Sequence, residues 1–137
     1  VGFFGVDDGG IVAIDPTTNT VDPNIRITEA ALGGDITDFE IASSTKAFAV
    51  VLDKNFESAL VTFNPSTGQR LTTVLGPRGV SISQIAINSR NELYAAVRDE
   101  TTTTTGVRVF DTVTDRDLIP GPLNVGQLPP NWVLFLE

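Results

Sequence analysis

The chain has no cysteine and no histidine in its 137 residues. Without cysteine there is no disulfide and no thiolate chemistry. Without histidine there is no imidazole general base, no Ser-His-Asp triad and little basis for a zinc site. Positive charge is scarce: nine Lys and Arg stand against seventeen Asp and Glu, for a net charge of −8. That balance removes the electrostatic attraction behind nucleic-acid and anionic-membrane binding, so no nucleic-acid partner is expected. No apolar run approaches the ~20 residues that span a bilayer, so no membrane insertion is expected. Nothing at the N-terminus reads as a signal peptide and the first residue is Val, which leads to the expectation of a trimmed or processed segment of a longer protein. No window carries apolar residues at a 3.6-residue period, so helix is expected to be essentially absent. No Gly-rich phosphate loop leads from a strand into a helix, which leaves nucleotide chemistry without support.

What the chain does have is repetition. The stretch Ile11-Val-Ala-Ile-Asp-Pro-Thr-Thr-Asn-Thr-Val21 returns from Leu60 and again from Val107, 49 and 47 residues apart. Each copy is an apolar run, then Asp or Asn, then a Thr-rich turn, then a second run. Asp15, Asn64 and Asp111 stand at the turn, where such side chains bond the turn backbone. A second run precedes each copy: Val1–Asp8, Lys46–Asp53 and Glu92–Asp99. A third follows: Ile36–Ala42, Ile82–Asn88 and Trp132–Glu137. In the order A, B, C, D within a unit, the chain reads B-C-D, A-B-C-D, A-B-C-D, A. The repeat units are approximately 1–35, 36–81 and 82–131, with a closing strand at 132–137, in a single domain over 1–137. Prolines 23, 120 and 122 fall in the D runs, and proline belongs at sheet edges. The C runs are apolar on both faces, unlike an antiparallel strand with one wet face. The expected fold is therefore all-β: three four-stranded antiparallel blades, a half or fragment of a six- or seven-bladed β-propeller.

The turns Asp15-Pro-Thr-Thr-Asn19, Asn64-Pro-Ser-Thr-Gly68 and Asp111-Thr-Val-Thr-Asp115, with Pro77-Arg-Gly-Val80, resemble the YVTN-type β-propeller repeats of bacterial and archaeal surface proteins. The B runs depart from that pattern: its Tyr-Val-Thr/Ala-Asn becomes Phe-Ala-Val-Val-Leu-Asp or Leu-Tyr-Ala-Ala-Val-Arg-Asp. The resemblance implies binding at the cell surface and an extracytoplasmic or secreted location. Three blades are fewer than a ring needs. The expected partners are the remaining blades, from a missing part of the chain or from a second copy.

The D–A and B–C loops form the face on which propellers bind. Here those loops hold Asp7, Asp8, Glu29, Asp35, Asp53, Glu57, Asp99 and Glu100 against only Lys54 and Arg78. That acidic face is the candidate surface for a basic protein or a cation; the alternative is a solvated loop surface. Asp8, Asp53 and Asp99 occupy equivalent positions and are hard oxygen ligands of the kind calcium takes, with Asp7-Asp8 the weak metal candidate. The alternative is that each caps its own turn. No other cofactor is indicated. Asp38 and Glu40 form a carboxylate pair on the first A run, suited to acid–base work or simply solvated in a channel. Thr101–Thr105 reads as a glycosylation target or a flexible loop. Trp132 reads as a ligand platform or as packing between blades. The expected function is a binding module whose candidate surface comprises Asp8, Asp53, Asp99, Glu100, Asp35 and Trp132. The alternatives are a lactonase- or hydrolase-like propeller enzyme with a carboxylate-bound divalent metal, and a purely structural fragment.

Overall fold

The computed structural model describes residues 7–77, 79–99, 105–126 and 129–136, without the side chains of Ile25 and Asp99. Among the described residues nine strands and one short helix follow one another: β1 (Gly10–Asp15), β2 (Thr20–Thr28), α1 (Glu29–Leu32), β3 (Asp35–Ser43), β4 (Lys46–Leu52), β5 (Ser58–Phe63), β6 (Arg70–Leu75), β7 (Val80–Ile87), β8 (Glu92–Asp99) and β9 (Thr105–Asp111). They form three antiparallel sheets, ordered β1-β2, β3-β4-β5-β6 and β7-β8-β9. The middle sheet has the A-B-C-D order read from the sequence. Among the described residues no sheet closes on itself.

The middle sheet lies between the other two, and the sequence of β4 and β5 shows why. Both are mostly apolar runs, Ala47–Leu52 and Ala59–Phe63 with Thr62 the one polar residue between them, and both are buried on both faces. Ala47, Ala49 and Val51 pair with Phe63, Val61 and Ala59, and these six side chains meet Ile27 of β2 and Leu32 of α1. The alternate residues Phe48, Val50 and Leu60 face the third sheet and pack on Ile82, Ile85, Leu93, Val97 and Phe110. Cross-strand neighbours share a face, so the two-residue period of each strand divides the core into two layers. Phe48, Phe63 and Phe110 are fully buried, each contributing roughly 1.5–3 kcal/mol of transfer free energy.

The repeated turn is an Asx turn in all three copies. Asp15 Oδ1 accepts from Thr17 N at 2.8 Å, Asn64 Oδ1 from Ser66 N at 2.9 Å and Asp111 Oδ1 from Val113 N at 3.0 Å. Four residues on, Asn19, Gly68 and Asp115 have φ of 54°, 72° and 62°. Asn, Gly and Asp are the residues that tolerate this left-handed geometry.

Three departures from the expected strand plan have local causes. The third sheet has three strands, and its D run is reduced to the bridges Phe110↔Asp117 and Val107↔Leu123. Pro120 and Pro122 lack the amide donors a ladder needs. Gly106 lets this run approach, since a Cβ there would sit 2.1 Å from Leu123 O. The segment 129–136 is not a strand. It is held to β7 by side chains, Ser83 Oγ donating to Pro130 O at 2.7 Å and Gln84 Oε1 accepting from Val133 N. A short helix stands where none was expected: Thr28 Oγ1 caps the Ala31 amide at 3.2 Å, and Gly33 closes α1 with φ 90°. Among the described residues the first sheet holds β1 and β2; of the expected B run, Val1–Val6 lies outside the described residues.

Candidate functional site

The acidic loop face is smaller than its residue count indicates. Glu29 is buried, and its carboxylate accepts from Gly9 N at 2.6 Å and Ile36 N at 3.1 Å. It ties the start of β1 to the start of β3 and is a structural staple. Asp35 is also buried, with 6% of its surface exposed, so it does not belong to the open part of this face. Asp53 Oδ1 accepts from Asn55 N at 2.8 Å and Glu57 N at 2.9 Å. The Glu57 amide, then that of Asn55, holds its carboxyl below the ordinary aspartate range. The turn-capping reading therefore describes Asp53.

Asp7 and Asp8 are exposed. Asp7 and Asp53 come together around a shallow depression of about 310 Å³ with Gly33, Gly34 and Lys54. Asp8 lies in the adjoining hollow beside Arg26. The side chain of Asp99 and all of Glu100 and Thr101–Thr104 lie outside the described residues. Among the described residues no group of three or more His, Cys, Asp or Glu side chains gathers closely enough to hold a metal ion.

The carboxylate pair on β3 does something the sequence reading did not foresee. A β-bulge interrupts β3 between Ile36 and Asp38, and another interrupts β7 between Ile82 and Gln84, 46 residues on. In each, the bulged hydroxyl donates to the partner strand at 3.4 Å: Thr37 Oγ1 to Val50 O and Ser83 Oγ to Ala96 O. Bulges re-aim side chains. Here they turn Asp38 and Gln84 toward the following unit, where Asp38 Oδ2 accepts from Ile85 N at 2.8 Å and Gln84 Oε1 from Val133 N. Asp38 is thus a connector between sheets. Glu40 beside it is half-buried, and burial, then the Asp38 charge, pushes its carboxyl up. The equivalence of positions 38 and 84 was visible in the aligned runs, but their shared role as acceptors appears only once the bulge sets their direction.

No protein-family model, curated protein or solved structure matches this chain.

The two ends of the stack are apolar and open. On the first sheet Val12 and Ile14 are 44% and 62% exposed, although their repeat equivalents Val61 and Phe63 are fully buried. Phe39 and Ile41 on β3 line, with Ile11, Val12, Ala13 and Ile27, a groove of about 340 Å³. At the other end Phe135 packs edge-on against Tyr94, ring centroids 4.9 Å apart. Trp132 and Leu134 turn away from that contact and are 75% and 81% exposed. Among the described residues Trp132 therefore packs between no two sheets.

Proposed function

We propose that the chain is a binding module: a three-unit portion of a β-propeller, related in its repeats to the YVTN-type surface proteins and working outside the cytoplasm. The reading is carried by the middle sheet, which is buried on both faces between neighbours in repeat register, while the outer faces of the same stack remain apolar. A unit of that kind is complete only between other units. Further blades, together with a basic ligand or partner on the loop face, are the expected partners. Asp7, Asp8 and Asp53 supply that face with charge, and the Asn55 and Glu57 amides hold Asp53 ionised.

The test uses a fluorescent oligolysine peptide as probe, titrated by anisotropy at rising salt. Binding is expected to weaken steeply with salt, because exposed charges are screened within ~8–10 Å at physiological ionic strength. The triple substitution Asp7→Asn, Asp8→Asn and Asp53→Asn removes charge and keeps the turn acceptor; it is expected to weaken binding at least tenfold. Equal affinity for the substituted and natural chains would remove the acidic face from the proposal.

A further inference from the structure

The repeat-register contacts between sheets point to a specific occupant for the apolar groove. Resting on the propeller reading above, we infer that segment 129–136 of one copy seats beside β3 of a second copy, and that two copies close head to tail into a ring of six units.

The first support is an interface already made twice within the chain. The β3 run contacts β7, and β7 contacts segment 129–136, through the same polar link: a side-chain acceptor at one position and the backbone amide one residue past the equivalent position, 47 or 49 residues on. In both, residues of one parity look back to the preceding unit and residues of the other look forward. Ile85 is buried against the middle sheet and Phe135 lies on Tyr94, which are backward contacts. Asp38 and Gln84 look forward. By this parity Trp132 and Leu134 look forward with nothing in front of them, while Phe39 and Ile41 look back into the open groove. The two unpartnered faces are the two halves of one contact.

The second support lies where the repeat breaks. A strand that precedes another should offer an acceptor at the position of Asp38 and Gln84. In the terminal segment that position is Trp132, which offers none. The amide that would need it is Phe39 N, and Phe39 N already donates to its own neighbour Asp38 Oδ1 at 2.9 Å. Ile85 N and Val133 N instead take their acceptors from the preceding unit. The one acceptor-less run therefore fits the one receiving strand whose amide is already satisfied. Leaving a buried amide unpaired would otherwise weigh against such docking. Two copies of three units make six, within the range in which such sheets close, and a contact of this heterologous kind forms a ring only if its rotation closes.

The experiment is sedimentation velocity on the full chain and on two single variants, Leu134→Asp and Phe39→Asp. Both positions are exposed in the single chain, and circular dichroism checks that each variant folds. The natural chain is expected to sediment as a discrete species of twice 14.6 kDa. Each variant spoils both contacts of the ring, and its dissociation constant is expected to rise more than tenfold. An equimolar mixture of the two variants restores one intact contact, so it is expected to associate where neither does alone. Mixing also guards against a misfolded variant, which would rescue nothing. A natural chain that stays monomeric, an open ladder of larger species, or a dimer indifferent to both substitutions would overturn the inference. A monomer that still binds oligolysine in the acid-dependent manner above would leave the binding-module reading standing, which separates the two failures.

Discussion

Single side chains in this fold are read by where their polar atoms go. Thr62 is fully buried on β5, and its hydroxyl has no hydrogen-bond partner among the described residues. A buried hydroxyl without a partner costs about 1–3 kcal/mol. Thr62→Val keeps the shape and removes that cost, so it is expected to stabilise the chain by about 1 kcal/mol, read as an upward shift of the denaturant midpoint at constant slope. A lower midpoint would mean that the hydroxyl has a partner, such as a buried water. Glu29 shows the opposite case: a charged side chain at a loop that the sequence places on the surface is drawn inward by two backbone amides that donate to it. From composition alone Glu29 and Asp53 are alike, a carboxylate in an acidic loop. Their difference is one of neighbours 20 and 7 residues away for Glu29 and only 2 and 4 away for Asp53.

At the scale of elements, the C–D turn was the most legible feature, because its determinants are local. Its Asx acceptor, the amides it takes and the left-handed residue all fall within five consecutive positions. Asp111 accepts from the Val113 and Thr114 amides and from the Thr114 hydroxyl, and the Thr114 amide chiefly holds its carboxyl below the ordinary range. A carboxyl lowered by folding contributes stability above the ordinary aspartate range, and that contribution is lost as pH falls through the lowered folded value. Asp111→Ala is therefore expected to lower the melting temperature by about 2–4 °C near pH 7, with the difference from the natural chain shrinking in acid. A difference independent of pH would assign the loss to packing. The A runs were less legible. Their alternation located β3 and β7, but the bulge that makes connectors of Asp38 and Gln84 depends on the facing strand. The last A run is apolar at alternate positions like its equivalents, yet forms no ladder, because a strand exists only with a partner to bond.

For the whole molecule, burial decreases from the middle sheet outward. β4 and β5 are shielded on both faces, whereas β1 alternates between half-buried and exposed residues. Amide exchange should follow this gradient, slowest in β4 and β5 and fastest in β1 and β2, since local opening is least costly where few apolar contacts break. Uniform protection in hydrogen-exchange mass spectrometry of the monomer would contradict the gradient; protection of β1 appearing only on association would connect it to the proposed ring. The sequence by itself determined the all-β class, the number of repeated turns, the A-B-C-D order of the middle sheet and the double-faced burial of its central strands. All of these follow from the alternation and repetition of residues close in the chain. Tertiary structure alone decided that Glu29 and Asp35 are buried, that Asp38 and Gln84 connect sheets, and that apolar residues stay open on segment 129–136 and in the groove between β3 and the first sheet. Those outcomes depend on contacts between residues apart in the chain, 7 and 20 positions for Glu29 and nearly a repeat for Asp38 and Gln84, where the sequence records which side chains are present but not which atoms they meet.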